Sequence, residues 1–221
     1  MTRNLSYALK NGKITHISEV ERGLHCGCNC TACGETLIAR KGQHVTHHFA
    51  HQSTKNCEYA YESSLHFVAK EILSRTQRMM LPPVYLHFPD SYKERILIYK
   101  AKEIIFDRVE LEQRFNTVVP DIVVHTGGKR LFIEIFVTHR VNQEKLNKLE
   151  AAGHSTIEID LSKIERTITT EELTSLLIET NDFKHWQYNS FSNKCQRKFY
   201  RAADKQRIIS KNDAYTLMAV L

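Results

Sequence analysis

The chain alternates between stretches with a two-residue hydrophobic period and stretches with a helical one. From Leu5 to Leu24 the short alternating runs YALKNG and KITHISEV predict small strands around a turn at Asn11-Gly12. Between Glu62 and Arg75 the apolar positions Leu65, Val68, Ala69, Ile72 and Leu73 recur at helical spacing, so a helix with one greasy stripe is expected. Alternation returns in Met79–Phe88, Arg95–Lys100 and Glu103–Phe115, which fit strands of one antiparallel sheet with a wetter face. The stretch from Val118 to Val137, VVPDIVVHTGGKRLFIEIFV, is rich in Val, Ile, Leu and Phe on both sides of Gly127-Gly128, a two-residue hairpin signal. Val141–Ala152 reads as a helix with Val141, Leu146, Leu149 and Ala152 in its stripe and Gly153 in the stop position. Ser155–Ser162 is expected as a strand parallel to the second hairpin strand after this crossover, and Thr169–Ile178 as a capped helix. The pattern shows neither an internal repeat nor a low-complexity linker.

The hairpin carries chemistry. If Thr126 pairs with Lys129, counting outward sets Asp121 opposite Glu134, with Cβ atoms about 4.5–5.5 Å apart and like charges that repel. Glu134 is the sole polar residue between Leu131 and Val137, and an unpaired buried carboxylate costs several kcal/mol. A divalent cation between the two acids is the simplest account, and hard oxygen ligands suit Mg²⁺ or Mn²⁺. The plain alternative pairs Glu134 with a lysine or arginine elsewhere. Glu62 and His66 lie at the border of the first helical stripe, within reach of the interior, as a third metal carboxylate and a proton shuttle or phosphate contact. Lys70 is a weaker candidate of the same kind. Lys145 falls inside the second stripe, where it either snorkels along the helix edge or supplies a cation near the attacking water and the transition-state phosphate.

Composition changes this picture in two ways. Net charge +6 and a pI near 9.0 on 221 residues favour a polyanionic partner such as nucleic acid. The basic, aromatic stretch from Phe183 onward, with Trp186, Tyr188 and Phe191 among lysines and arginines, either stacks on bases or anchors a terminal helix. The N-terminus lacks an apolar core of signal-peptide length and no segment approaches the roughly 20 apolar residues of a membrane span, so a cytoplasmic protein without membrane contact is expected. Thiols stay reduced there, and five cysteines within Cys26–Cys57 then point to metal rather than disulfides. Cys30-Thr-Ala-Cys33-Gly34 has zinc-knuckle spacing, and His47, His48, His51 and Cys57 follow. The expected structural zinc ligands are Cys30, Cys33, His51 and Cys57, with His48 the main substitute and Cys28 another. Cys195 stands apart and is expected to be a packed thiol.

Together, the CxxC, the HFAH of His48–His51, the following cysteine and the ES-x-x-H of Glu62, Ser63 and His66 resemble the competence CoiA-like proteins. Pro120-Asp121 with the downstream Glu134 is similar to the PD-(D/E)XK nuclease core that this family is understood to contain. The resemblance covers roughly Leu24–Leu161. It implies that Asp121 and Glu134 bind a catalytic metal and that Glu62 is the acid from the first core helix. The E-x-K pattern would put a lysine at position 136, where this chain has Phe136, and Lys145 is the stand-in. The resulting expectation is an α+β (mixed α/β) fold in three parts. Residues 1–58 form a small β-rich zinc module, 59–182 a restriction-endonuclease-like core sheet flanked by helices, and 183–221 a basic, aromatic helical segment. The expected activity is Mg²⁺- or Mn²⁺-dependent cleavage of nucleic acid, DNA foremost. The alternatives are a nucleic-acid-binding protein with a decayed core, and an interaction module, self-associating or partnered, in a DNA-processing or phage-defence assembly.

Overall fold

Asn11 and Gly12, both in the left-handed region at φ +51° and +77°, turn the chain between strands β1 (Tyr7–Lys10) and β2 (Lys13–His16). This is the computed structural model of the chain, and it describes residues 4–53, 57–88 and 91–204. Strands β3 (Gly23–Asn29), β4 (Thr36–Arg40) and β5 (His48–His51) complete a five-stranded sheet of order β2-β1-β3-β4-β5. Helix α1 (Ala60–Thr76) follows, and the stripe Leu65, Val68, Ala69, Ile72 and Leu73 is buried as its spacing requires. Burying one such aliphatic side chain is worth about 1.5–3 kcal/mol, which holds the helix more firmly than its propensity does.

The next strands do not form the single sheet expected of them. Among the described residues, strand β6 (Arg78–Leu81) pairs with β9 (Lys102–Ile105) alone and β7 (Val84–Phe88) with β8 (Ser91–Tyr99) alone, as separate ribbons. Alternation specifies which residues share a face but not which strand is the partner. The Glu103–Phe115 run is broken at Phe106-Asp107, and only its second half, β10 (Arg108–Leu111), joins the sheet that holds the hairpin. In β11 (Ile122–Thr126) and β12 (Lys129–Phe136) the register runs from Thr126 opposite Lys129 to Ile122 opposite Ile133, as expected. Gly127 and Gly128 sit at φ +52° and +72°, the two successive positive values of a type I′ turn.

Helix α2 (Gln143–Ala151) is capped by Asn142, whose side chain accepts from the Lys145 amide at 2.8 Å. Strand β13 (Ser155–Asp160) comes next, then helix α3 (Thr170–Glu179), whose capping box joins Thr169 and Glu172. The C-terminal part is not wholly helical, as expected of it, because Lys184–Tyr188 forms strand β14 at the edge of the order β10-β11-β12-β13-β14 before helix α4 (Ser190–Asp204) begins. KHWQY alternates, and Trp and Tyr favour a pleated surface over a helix. The remainder of the expected segment, 205–221, lies outside the described residues.

The chain divides into two units. The first takes the described residues of Met1–Gln77, Ile135–Arg140 and Ile159–Phe183, and the second those of Arg78–Glu134, Val141–Glu158 and Lys184–Leu221. In the first, α1 packs on α3 and β1, and the Tyr7 hydroxyl donates to the Ile168 carbonyl at 3.0 Å. In the second, Val118, Val123, Phe132 and Leu149 form a core to which α2 also contributes Leu146. A smaller cluster of Leu86, Ile96 and Cys195 confirms the packed thiol, with Phe191 against it.

Candidate functional site

In the first unit, strand pairing assembles a thiol–imidazole cluster. Asn29 lies opposite Thr36 and His51 opposite Leu37, so the start of β4 holds the end of β3 beside the end of β5. Cys30 leaves β3 into a knuckle in which the Gly34 amide donates to the Cys30 carbonyl at 3.0 Å and the Ala32 amide to its Sγ at 3.4 Å. Gly34 at φ +73° closes the turn. The ligand atoms of Cys30, Cys33, His51 and Cys57 all lie within 4.8 Å of one another. Cys33 Sγ is 3.3 Å from His51 Nε2, and Cys30 Sγ is 4.0 Å from Cys57 Sγ. Tetrahedral zinc with ordinary bond lengths would set such pairs about 3.5–3.8 Å apart, so this Cys₃His set fits a structural ion such as zinc. Burial pushes the Cys57 thiol up to about 12, with Cys33 and Cys30 adding to the effect, and also raises Cys30. The metal would displace those protons on binding. The substitutes go elsewhere: His48 Nδ1 meets the Thr46 carbonyl at 2.8 Å, and Cys28 Sγ donates to the Cys26 carbonyl at 3.3 Å.

In the second unit, the hairpin register runs out at Ile122–Ile133, so Asp121 stands one residue before β11, in a bend, at the position that the same register extended by one step would set opposite Glu134. Successive strand residues alternate faces. Within β12, Glu134 therefore shares the face of Phe132, which packs with Leu149 of α2. Lys145, one turn before Leu149, donates from Nζ to Glu134 Oε2 at 2.7 Å, with side-chain exposures of 31% and 2%. The lysine in the helical stripe is thus directed at the strand, where it neutralises the buried acid. An open groove of about 290 Å³ adjoins it, lined by Val118, Asn142, Glu144, Lys145 and Lys148.

Glu62 and His66 belong to the first unit, on α1, where both are half-buried, as is Lys70. The Glu62 carboxylate is engaged: Oε2 accepts from Thr138 Oγ1 at 2.5 Å and from His139 Nδ1 at 2.9 Å. Burial alone would raise its pKa, but the bonds from Thr138 and His139 outweigh that and hold it below the ordinary carboxylate value. Phe136 is also in this unit, half-buried under the Arg140 guanidinium at 4.8 Å.

Residues 9–60 match the family model of the competence protein CoiA N-terminal domain. That CoiA-like segment contains all four residues of the thiol–imidazole cluster. No curated protein and no solved structure matches the chain. Among the described residues no helix is long and apolar enough to cross a membrane.

Sequence reasoning passed over Thr138, His139, Arg140 and Asp160, which the first unit gathers around Glu62 and the ends of β12 and β13. It also passed over the buried Glu158, while Lys184, expected among the phosphate-touching cations after Phe183, is buried. Polar residues inside the apolar β13 run, as Glu134 is inside β12, were the available signal. The aromatics singled out after Phe183 serve packing where they are described. Trp186 Nε1 donates to the Pro82 carbonyl at 3.2 Å, and the Phe191 ring meets Tyr99 in a tilted contact with centroids 5.2 Å apart.

Proposed function

We propose that the hairpin sheet is a PD-(D/E)XK-like, restriction-endonuclease-like core that cleaves phosphodiester bonds of nucleic acid, DNA foremost, with a divalent cation. In this reading the CoiA-like module contributes a structural zinc and the protein works in the cytoplasm. The observation that carries the reading is the buried Glu134 met by Lys145 reaching in from α2, and the reading takes Asp121, one residue before β11, as the second acid on the extended register. Two carboxylates so placed make an oxygen-rich site suited to Mg²⁺ or Mn²⁺. When bound, such an ion would polarise the scissile phosphate and acidify a water. Asp121 and Glu134 would hold it, and Lys145, displaced from Glu134 by the ion, would offer its ammonium to the charge that develops on the phosphate. Glu62, whose carboxylate is occupied by Thr138 and His139, is given no ligand role here.

One observation favours a second reading, a nucleic-acid-binding protein without cleavage: Phe136 stands where the pattern has lysine, and Lys145 already neutralises Glu134. The test incubates purified protein with single- and double-stranded DNA and RNA, with Mg²⁺, with Mn²⁺ or with neither. Metal-dependent cleavage that falls at least about 100-fold in Glu134→Gln, the loss expected when a metal-held charge of several kcal/mol is removed, supports the nuclease. Binding without cleavage under every metal supports the second reading and ends the first.

A further inference from the structure

The segment that leaves β12 presents two consecutive side chains rich in N–H donors, an imidazole and a guanidinium, each braced by a carboxylate of another element. His139 Nδ1 lies 2.9 Å from Glu62 Oε2 on α1, and the His139 amide donates to Glu62 Oε1 at 3.4 Å. Thr138 Oγ1 donates to the same carboxylate. Arg140 Nη2 donates to Asp160 Oδ2 at 3.4 Å at the end of β13, while Asp160 Oδ1 accepts from the Ser162 amide at 2.9 Å. The exposures are asymmetric. His139 is 71% exposed over a Glu62 that is 17% exposed, and Arg140 is 62% exposed over an Asp160 at 16%. Each ring or fork also has an aromatic neighbour: Tyr59 is 6.5 Å from the His139 ring and Phe136 is 4.8 Å from the Arg140 guanidinium.

Ordinary surface ion pairs expose both partners and fix neither. Here the anions are sunk and anchored while the donors face water, which is how a carboxylate orients a histidine or arginine toward something else. With Nδ1 committed to Glu62, the exposed edge of the imidazole is its Nε2 edge. A guanidinium carries five N–H donors in a planar fork that matches a phosphate, and the Arg140 side chain is 62% exposed. All of these residues lie within the first unit.

We propose that His139 and Arg140 form a phosphodiester-binding site on the first unit, contacting the non-bridging oxygens of a nucleic-acid backbone phosphate, with Glu62 and Asp160 as positioning residues. The proposal rests on the nuclease reading only in taking nucleic acid as the ligand. Its test therefore uses the whole 221-residue chain, purified without chelator and without added Mg²⁺ or Mn²⁺, so that cleavage is not required. Binding of a fluorescein-labelled single-stranded DNA oligonucleotide is followed by anisotropy over a salt series. In Arg140→Gln the affinity falls about five- to tenfold, and the slope of log K against log salt shrinks by about 0.7, the value of one single-strand phosphate contact. Arg140→Lys keeps the slope, and His139→Gln lowers affinity.

Glu62→Gln and Asp160→Asn separate this site from generic attraction. Each adds a net positive charge, so a diffuse basic surface would bind the oligonucleotide more tightly, whereas a positioned site binds it more weakly. Unchanged affinity and slope in Arg140→Gln, or tighter binding in both carboxylate variants, overturns the proposal. A change in inorganic-phosphate binding by side-chain NMR, with oligonucleotide binding intact, overturns the nucleic-acid assignment. A protein that binds in this way but never cleaves sinks the nuclease reading alone.

Discussion

Replacing Lys145 with alanine removes the ammonium 2.7 Å from the buried Glu134 carboxylate, and the resulting loss follows from the geometry. Two unit charges at 2.7 Å attract by about 6 kcal/mol at an effective dielectric of 20. Much of this is offset by the desolvation both groups have already undergone. Removing one partner of a fully buried pair costs about 3–5 kcal/mol. Lys145 is 31% exposed, so water reaches its end of the pair and the expected loss is nearer 2 kcal/mol. For a chain of this size that lowers Tm by about 4–8 °C. The acid-pair argument adds a second expectation that an ordinary ion pair would not. With its ammonium gone, the Asp121–Glu134 face should take Mn²⁺ in its place, and at 100 times Kd an ion restores about 2.7 kcal/mol. Urea unfolding of wild type, Lys145→Ala, Glu134→Gln and the double variant, each with and without Mn²⁺, measures both effects. The double variant should lose about 1 kcal/mol less than the sum of the singles, and only Lys145→Ala should be rescued strongly by metal. A loss below about 0.5 kcal/mol would mean that the pair contributes no more than a surface contact. A full loss with no rescue would mean that Glu134 is a lysine-paired structural acid, and the cation site would have to be given up.

Two further outcomes are expected. Purified protein should carry about one equivalent of zinc, and Cys57→Ser or Cys33→Ser should lower that content and the melting temperature together, because a structural ion contributes folding free energy directly; less than about half an equivalent by metal analysis in wild type counts against the site. His16 should make stability fall as the medium is acidified. It is buried with Nδ1 2.7 Å from Ser18 Oγ, and burial holds its pKa below the ordinary 6.5, with Glu19, Glu171 and Glu172 opposing and Lys41 assisting. The folded state therefore binds fewer protons than the unfolded one, so this stability is present above the unfolded value and drains as pH falls below it. The stability difference between wild type and His16→Gln should shrink from pH 7.5 to pH 5, and a difference independent of pH would refute the assignment.

What the sequence disclosed and what it hid divide along a physical line. The thiol–imidazole cluster was legible because two cysteines around a tight turn have a spacing of their own, and His51 and Cys57 followed within one short module. The hairpin register was legible because Gly127-Gly128 fixes the turn and a side-chain period of two then fixes every facing pair out to Ile122 and Ile133. Partner choice was not legible, since β6–β9 and β7–β8 alternate as well as β10 does and yet form separate ribbons. Nor was β14, whose lysine, histidine and tryptophan read as a charged tail until Lys184 is seen to be buried. The Glu62–His139 pair spans 77 positions, a separation at which no local pattern operates.

The two lysine positions bear on whether the core retains its chemistry. A lysine at 136 would have come from the same strand as Glu134, its alternation fixing its face. Phe136 instead lies under Arg140, and the cation that meets Glu134 arrives from α2. A side chain on a helix reaches a strand only if the helix is held at a fixed depth, and α2 is held by Leu149 and Leu146 against Phe132 and Val123. The Asn142 cap fixes its first turn, the turn that carries Lys145. The Lys145 ammonium, the group the proposed cleavage would use, is thereby tied to the packing of α2. A cavity-forming Leu149→Ala, costing about 2–5 kcal/mol, should for this reason depress cleavage even where the protein stays folded. Were Lys145 only a snorkelling surface residue, activity at temperatures well below the melting point would be indifferent to that change.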